Sequence, residues 1–336
     1  MSREPVPRLP EPDRAVVLVV IDGLRAHEAF VGIDGDLADA RKVRRSDYPS
    51  LTPNLHRLLQ EGMALGVPGH GEPLVASGPD FVSMPGYMEL LGGLAPTGCT
   101  GNECPSLSHP TVLDVARQAL PSAGDVAVFA SWPPLQRAAS LDPSKFIVSA
   151  GKGHVARFAD LCSDAQVRTL WEIGTTTEPW PSDNPDYRPD AATAPLALRY
   201  FKNRRPKLFV LVLGDADEMG HRNDYPAYLR AIAHSDAVLG DLVRVIDGMG
   251  NRGAHTTLLV TSDHGRADSF ADHGGDWPES QRTWLVARGG EVRMRGMVSA
   301  SHRFRLADIA GTVRALLRLP PDSRAGSGQA IDEVFR

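Results

Sequence analysis

The stretch AVVLVVIDG, residues 15–23, decides the fold. Its first seven residues are all apolar and most are β-branched, which is typical of a strand in a parallel sheet that is covered on both faces. Similar runs follow at DVAVFAS (125–131), KLFVLVLGD (207–215), HTTLLVTSD (255–263) and TWLVARG (283–289). Helical patterns begin between them at Pro53, Thr111, Ala194, Tyr225 and Leu306. This alternation predicts an α/β fold with a doubly wound, mostly parallel central sheet and helices on both faces.

The longest helical pattern is YPAYLRAIAHSDAVLGDLVRVIDG, residues 225–248. Its apolar residues recur at spacings of three and four and predict one buried stripe; they are Leu229, Ile232, Leu239, Val243 and Ile246. Asp236 falls on the same stripe. Because a buried carboxylate needs partners, Asp236 either braces a functional site or is bonded locally at the flank of its helix.

The domain organisation is predicted to be simple. Residues 1–13 resemble a loose tail, and residues 14–336 form a single domain. The segment 163–193 is a candidate cap or insert, because it contains the Pro- and Asp-rich stretch TTTEPWPSDNPDYRPDAAT (175–193). Trp180, Tyr187 and Arg188 in this segment could contact a substrate, but the sequence assigns none of them a role.

Composition excludes several classes of function. The chain has 336 residues, a formal net charge of -5 and a pI near 6.1. Without a basic stripe, a nucleic acid polymer is not an expected partner, whereas a small phosphorylated substrate is. No run approaches the roughly 20 apolar residues of a membrane span, and the N-terminus lacks the apolar core of a signal peptide. We therefore expect a cytoplasmic protein without a membrane partner; the sequence does not indicate its oligomeric state.

The cysteines are few and odd in number: Cys99, Cys104 and Cys162. This favours reduced thiols over a disulfide scaffold. A bridge between Cys99 and Cys104 remains open as an alternative.

Acids and imidazoles follow three of the predicted strands. Asp22 ends the first strand, Asp217 and His221 lie in GDADEMGH (214–221), and TSDHGRADSFADHGGD (261–276) contains Asp263, His264 and His273. A solvated glycine-rich loop is the simplest alternative for the last stretch. However, ligands of open α/β sheets bind beyond the carboxyl ends of the strands, so we expect these side chains to meet at one edge.

Carboxylate oxygens and imidazole nitrogens together suit Zn²⁺ or Mn²⁺. Six such groups exceed what one tetrahedral ion needs. Two divalent ions about 3.5–4 Å apart would use them all and would clamp the attacking and leaving oxygens of a displacement at phosphorus. The sequence thus predicts two ions, Zn²⁺ preferred and Mn²⁺ as the alternative.

The order VVIDG, SMPGY, DADEMGH, SDHG and DHGGD resembles the alkaline phosphatase superfamily, and most closely its nucleotide pyrophosphatase/phosphodiesterase branch. The resemblance extends from about Val16 to Pro320, because FRLADIAGTVRALLRLP (304–320) also resembles the last helix of that superfamily. It implies an alkaline-phosphatase-like fold and a metal-dependent hydrolase acting on phosphoric esters.

The resemblance also implies residue roles. Ser83 of SMPGY matches the nucleophile, and Asn102 matches an amide of the phosphate pocket. By similarity, one ion is held by Asp22, Ser83, Asp263 and His264, and the other by Asp217, His221 and His273. The alternatives are a helix N-cap for Ser83 and a turn residue for Asn102.

Two residues depart from the family pattern and bear on which reaction the protein catalyses. Gly86 stands where phosphodiesterases of this type carry Asn, which puts contacts to the leaving group in doubt. Tyr87 stands where sulfatases need Arg, which disfavours a sulfatase. A cofactor-independent phosphoglycerate mutase is a weak alternative, because its large inserted domain would leave little room in 336 residues.

The predicted function is a phosphodiesterase that works through a phosphoseryl-type intermediate. The alternatives are a phosphomonoesterase of the same superfamily, a non-hydrolytic metal-binding relative acting as a transferase or binding module, and an α/β domain whose polar loops are merely solvated.

Overall fold

The structure is a computed structural model and describes residues 13–44, 50–178 and 181–335. Within these ranges the strands are β1 (Ala15–Ile21), β2 (Gly62–Leu65), β3 (Leu74–Val75), β4 (Val126–Ala130), β5 (Ile147–Ala150), β6 (His154–Ala156), β7 (Leu208–Leu213), β8 (Thr256–Thr261), β9 (Arg282–Thr283), β10 (Leu285–Arg288), β11 (Gly296–Met297) and β12 (Phe304–Arg305). Short 3₁₀ turns lie at Ala123–Asp125, Pro143–Lys145 and Pro278–Gln281.

The α-helices of the same ranges are α1 (Ala26–Phe30), α2 (Gly35–Ala40), α3 (Pro53–Gln60), α4 (Ser83–Gly92), α5 (Val112–Ala119), α6 (Leu135–Ala139), α7 (Phe158–Leu161), α8 (Ala165–Thr175), α9 (Asp190–Arg204), α10 (Asp215–His221), α11 (Tyr225–Asp247), α12 (Asn251–Ala254), α13 (Leu306–Leu316) and α14 (Asp332–Phe335). No described helix is both long enough and apolar enough to cross a bilayer.

A large mixed sheet forms the centre of the described part of the chain, in the order β11-β2-β10-β8-β1-β7-β4-β5-β6. The five strands from β8 to β5 are parallel, whereas β10 runs antiparallel to both β8 and β2. The predicted fold class is therefore confirmed. A small second sheet pairs β12, β3 and β9.

Strand β1 lies in the middle because both of its faces are apolar. Val17, Val19 and Ile21 enter one core, and the alternate residues Val16 and Leu18 enter the other, as the period-two geometry of a strand requires. Helices α3, α8, α9 and α11 cover the first face, and α4, α5, α6 and α13 cover the second. Burial on both faces leaves the strand ends as the places where polar side chains can converge.

The predicted stripe of α11 is buried in the first core, and Asp236 is buried with it. Asp236 does not reach the strand ends. Its carboxylate accepts hydrogen bonds from Leu55 N (2.8 Å), Asn54 N (3.0 Å) and Asn54 Nδ2 (2.8 Å), and so caps the N-terminus of α3. Of the two predicted roles, local bonding at a helix end is the one that these contacts support.

The candidate insert, 163–193, contains α8 and a loop that leads into α9. Helix α8 is capped by Asp164, whose side chain accepts from Gln166 N and Val167 N, and Val167 is buried in the first core. Of the predicted N-terminal tail, only Asp13 is described, and its carboxylate pairs with Lys207 at 3.2 Å; the rest of that prediction lies outside the described residues. A separate cap function for 163–193 stays a prediction.

Candidate metal centre

The structure brings the seven predicted ligands together beyond the carboxyl ends of β1, β7 and β8. Asp22 follows β1, Asp217 and His221 lie on the short helix α10 after β7, and Asp263 and His264 follow β8. Ser83 is the first residue of α4, and His273 returns from the loop that follows β8. Two overlapping ligand groups form among the described residues, Asp22 with Asp263 and His264, and Asp217 with His264 and His273.

The first group is completely buried and contacts the predicted nucleophile. His264 Nε2 lies 3.2 Å from Asp22 Oδ1 and 3.5 Å from Asp263 Oδ2. Ser83 Oγ lies 3.4 Å from Asp22 Oδ1 and 3.3 Å from His264 Nε2. His264 Nδ1 donates to Gly265 O at 2.8 Å, so its Nε2 atom faces the centre of the group.

The second predicted ligand set, Asp217, His221 and His273, lies directly beside the first group. His221 Nε2 is 3.0 Å from Asp217 Oδ2, and His273 Nε2 is 3.1 Å from His221 Nε2 and 3.6 Å from Asp217 Oδ1. His273 Nδ1 donates to Phe81 O at 2.9 Å, which again directs Nε2 inward. The His264 and His273 rings stack with centroids 4.1 Å apart, and this contact joins the two groups.

The electrostatics of the first group favour a cation. Burial and repulsion from the Asp22 carboxylate raise the pKa of Asp263 well above its ordinary value. Burial opposes a charge on His264, but Asp263 and Asp22 outweigh it and raise the pKa of His264 to about 10. The two carboxylates therefore stabilise a positive charge between them in this buried site, as the raised pKa of His264 shows.

The second group already has one cationic neighbour. Burial opposes ionisation of Asp217, but the Arg266 guanidinium and His221 outweigh it and hold the pKa of Asp217 well below its ordinary value. Burial and the neighbouring His264 hold the pKa of His273 well below its ordinary value, so this imidazole is a neutral donor. Burial and the Asp217 carboxylate raise the pKa of Glu218, which lines the same pocket, to about 8.

Three observations indicate that the ligand atoms of both groups suit divalent ions. Asp263 Oδ2 is buried and has no hydrogen-bond partner among the described residues. His221 Nε2 and His273 Nε2 face each other at 3.1 Å. His273 Nε2 carries a lone pair, because Nδ1 of the same ring carries the proton that is donated to Phe81 O. Oxygen and nitrogen donors of this kind are the ligands of Zn²⁺ and Mn²⁺. The residues present therefore fit the two predicted ions.

Ser83 and Asn102 lie at the N-terminus of α4. The N-cap is Val82, so the Ser83 hydroxyl is not used to cap the helix. Instead, Asn102 Oδ1 accepts from Met84 N at 2.9 Å, which leaves Asn102 Nδ2 as the end of the amide that can donate to a ligand. The loop that carries Asn102 is closed by a disulfide between Cys99 and Cys104, whose Cα atoms are 4.5 Å apart. The expectation of reduced thiols is wrong for this pair, because the turn between them brings the sulfurs together; Cys162 is free and buried.

A pocket of about 250 Å³ opens onto Ser83. The residues that line it are Asp22, Ser83, Asn102, Glu103, Trp132, Pro134, Ser182, Asp183, Asn184, Tyr187, Gly214, Asp217, Glu218 and His221. No lysine or arginine belongs to this lining in the part of the chain that the structure describes. Besides the candidate ligands Asp22 and Asp217, three residues of the lining are acidic: Glu103, Asp183 and Glu218. A larger cavity of about 480 Å³ lies beside Gly66 and Gly71 and is lined by none of the predicted ligands, whereas the smaller pocket is lined by four of them: Asp22, Ser83, Asp217 and His221.

The predicted insert contributes to this pocket. Ser182, Asp183 and Asn184 form part of the wall, and Ser182 Oγ donates to Glu218 Oε1 at 2.9 Å. Tyr187 also lines the pocket and donates to Asp215 Oδ1 at 2.9 Å. Arg188, by contrast, is fully buried and donates to Ala130 O, Ser149 O and side-chain hydroxyls, which is a structural role. Trp180 lies outside the described residues.

Sequence reasoning missed two buried residues that contact the ligands. Tyr87 OH donates to Asp22 Oδ2 at 2.6 Å. The Arg266 side chain has no exposed surface, pairs with Asp217 Oδ1 and donates to Ala271 O at 2.6 Å. Tyr87 is four residues after Ser83, a spacing that places both side chains on one helix face, so a prediction of α4 would have found it.

Solved structures share this architecture. A putative sulfatase of Bacteroides thetaiotaomicron VPI-5482 is similar with a TM-score of 0.65 at 12% identity, covering 96% of this chain and 75% of that chain. The alkaline phosphatase PafA gives 0.64 at 13% identity, covering 98% of this chain and 100% of that chain. The phosphonate monoester hydrolase of Agrobacterium radiobacter gives 0.58 at 17% identity, covering 96% and 77%. The fold is therefore the one expected from the sequence.

Sequence comparisons place the chain more narrowly. Two curated relatives are 2,3-bisphosphoglycerate-independent phosphoglycerate mutases. That of Rippkaea orientalis (strain PCC 8801 / RF-1) is 34% identical over 127 residues, or 35% of this chain and 23% of the relative. That of Acaryochloris marina (strain MBIC 11017) is 30% identical over 145 residues, or 39% and 25%. The match thus spans about a quarter of the length of these relatives.

A family model of type I phosphodiesterase / nucleotide pyrophosphatase matches residues 110–323, more than half of the chain. This protein belongs to that family. The match includes Asp217, His221, Asp263, His264 and His273, whereas Asp22 and Ser83 precede it.

Proposed function

We propose that this protein is a metal-dependent phosphodiesterase with Ser83 as its nucleophile. The observation that carries the proposal is the position of Ser83 Oγ, 3.4 Å from Asp22 Oδ1 and 3.3 Å from His264 Nε2, at the first turn of a helix and at the floor of a pocket. A serine hydroxyl needs an activator, and the ligand groups beside Ser83 are the only part of the pocket that offers one among the described residues.

Asp22, Ser83, Asp263 and His264 would hold one divalent ion, and Asp217, His221 and His273 the other. When bound, the two ions would lower the cost of forming the serine alkoxide and neutralise charge on the phosphoryl oxygens. Zn²⁺ is the preferred identity, with Mn²⁺ as the alternative.

In the first step, Ser83 Oγ forms a bond to phosphorus and the bond from phosphorus to the leaving oxygen breaks. The serine proton passes to solvent, and the leaving alcohol takes one up. In the second step water attacks phosphorus, the bond to Ser83 Oγ breaks, and the hydroxyl is protonated again. Asn102 Nδ2 would donate a hydrogen bond to a phosphoryl oxygen in both steps.

The acidic pocket favours a diester over a monoester. A phosphate monoester carries two charges near neutral pH and a diester only one. Asp183 would repel the second charge, and the described lining supplies no lysine or arginine to offset it. Glu218, with a pKa of about 8, is largely neutral near pH 7, and Glu103 pairs with Arg137 at 3.8 Å. The substrate would therefore be a small phosphodiester; its alcohol components are not specified by these contacts. A cytoplasmic location stays a prediction from the sequence.

The test compares turnover of bis-p-nitrophenyl phosphate with that of p-nitrophenyl phosphate by Zn²⁺- or Mn²⁺-loaded protein. We expect a higher kcat/KM for the diester, loss of both activities on chelation, and a fall of at least about 10³-fold in Ser83→Ala at unchanged protein fold. Ser235→Ala is the matched control, because this buried serine lies on α11 far from the pocket. Full activity of Ser83→Ala would exclude the seryl mechanism, and a preference for the monoester would exclude the diesterase.

A second candidate is a transferase that returns the phosphoryl group from Ser83 to an alcohol. It is favoured by the 34% identity to a phosphoglycerate mutase over 127 residues. The two functions differ in the molecule that accepts the phosphoryl group from Ser83. An activated monoester is therefore supplied in the presence of glycerol, and the ratio of glycerol phosphate to inorganic phosphate is measured. We expect water to be the main acceptor.

A further inference from the structure

Tyr87 lies one helical turn after Ser83, and both side chains contact the same carboxylate. Ser83 Oγ is 3.4 Å from Asp22 Oδ1, while Tyr87 OH donates to Asp22 Oδ2 at 2.6 Å. The two oxygens of Asp22 are thus divided: Oδ1 faces Ser83 and His264, and Oδ2 is occupied by the phenol. The hydrogen bond to Oδ2 favours Oδ1 as the oxygen that Asp22 presents to an ion.

The surroundings hold this arrangement in place. Tyr87 has no exposed surface, so its hydroxyl group cannot exchange Asp22 for water, while Asp22 itself is 3% exposed and lines the pocket. The Tyr87 ring packs against Trp132 with centroids 6.2 Å apart, and Trp132 lines the substrate pocket. Gly86, next to Tyr87, lets α4 approach the Asp263 backbone, where a Cβ would lie 2.5 Å from Asp263 O.

We propose that Tyr87 is a positioning residue that fixes Asp22 as a one-oxygen ligand of the first metal site. This inference rests on the metal centre of the proposed function and not on the reaction that it catalyses. Hydrogen-bond partners of metal ligands typically contribute 10–100-fold to metal affinity, because they fix the orientation of the ligand before the ion binds. Asp217 has a comparable partner in Arg266, so loss of Tyr87 affects only the site that contains Asp22.

The test is competition for Zn²⁺ between a chromophoric chelator and the metal-free protein, for the wild type and Tyr87→Phe. The wild type binds two equivalents, and the variant binds one of them with a Kd raised about 10–100-fold and the other unchanged. Tyr200→Phe is the control: Tyr200 is equally buried but packs against Phe129 in the core on the other face of the sheet. Urea unfolding of the metal-free proteins checks that Tyr87→Phe is folded.

Two equivalents bound by Tyr87→Phe with wild-type affinity would overturn the role of Tyr87 while leaving the proposed function intact. A wild type that binds no metal would overturn both. If Tyr87→Phe does not fold, the crystal structure of the Zn²⁺-loaded wild type decides: an ion on Asp22 Oδ1 with Tyr87 on Oδ2 supports the role, and an ion bound to both oxygens of Asp22 overturns it.

Discussion

Substitution of Gly86 by alanine should disable the site without unfolding the protein. Gly86 lies in the first turns of α4, where its Cα faces the backbone at the end of β8. An added Cβ would meet Asp263 O at 2.5 Å and Asp263 C at 3.1 Å, and ordinary contacts of this kind begin at 3.4 Å. Both partners are backbone atoms, so the clash cannot be relieved by a side-chain rotation.

The size of the effect follows from these distances. Restoring contact at 3.4 Å from 2.5 Å moves the start of α4 by about 1 Å away from Asp263, and Ser83 moves with it. A displacement of about 1 Å of a reacting group costs on the order of 10²-fold in rate. Overpacking lowers the free energy of unfolding by about 1–3 kcal/mol, offset in part by the helix propensity of alanine, about 1 kcal/mol better than glycine.

The assay is kcat/KM for bis-p-nitrophenyl phosphate together with urea unfolding. Gly124→Ala is the control, since a Cβ there meets nothing closer than 3.7 Å. If Gly86→Ala keeps kcat/KM within about threefold of the wild type, the geometric argument for Ser83 is refuted.

Three further predictions concern stability. Metal-free Asp263→Asn should be more stable than the metal-free wild type by about 1–3 kcal/mol, because burial and the Asp22 carboxylate disfavour a charge on Asp263 and its Oδ2 accepts no hydrogen bond from the described residues. In excess Zn²⁺ the variant should be less stable than the wild type; urea unfolding with and without Zn²⁺ measures both, and the same order in both conditions would contradict it. Asp236→Ala should lower the free energy of unfolding by about 2 kcal/mol through loss of the α3 cap, with metal content unchanged; reduced metal content would show that Asp236 braces the site. Hydrogen bonds from Arg324 hold the pKa of Asp322 below 3.8, so its stabilisation is present above that pH and is lost as pH falls through the lower folded-state value. The stability difference between wild type and Asp322→Asn, followed by thermal melting, should therefore shrink on acidification, and a constant difference would disprove the linkage.

Five of the seven ligands could be predicted from the sequence because they follow strands whose apolar runs are unmistakable; they are Asp22, Asp217, His221, Asp263 and His264. The end of a parallel strand fixes the position of the next residue, so Asp22, Asp217 and Asp263 had to meet at one edge. His273 could be expected only to fold back toward His264, because the eight-residue loop between them has no period that fixes its path.

Helix α4 could not be predicted from periodicity, because all ten of its residues are buried and no polar face alternates with an apolar one. Because the helix could not be predicted, the four-residue spacing between Ser83 and Tyr87 could not be used to predict the contact between Tyr87 and Asp22. The start of α9 was predicted four residues late, at Ala194, because Pro195 resembles a first-turn proline. In the structure Asp190 begins the helix, and its carboxylate accepts from Gly214 N at 2.9 Å and Asp215 N at 3.0 Å, contacts that only the fold provides.

The most direct test of the central claim is the metal content per chain. Wild type, Asp263→Ala and His273→Ala are saturated with Zn²⁺, freed of excess ions and measured by elemental analysis. The account predicts about two equivalents in the wild type and about one in each variant, because the two substitutions remove ligands from different sites. A wild type that retains no metal after incubation with either Zn²⁺ or Mn²⁺ would contradict it.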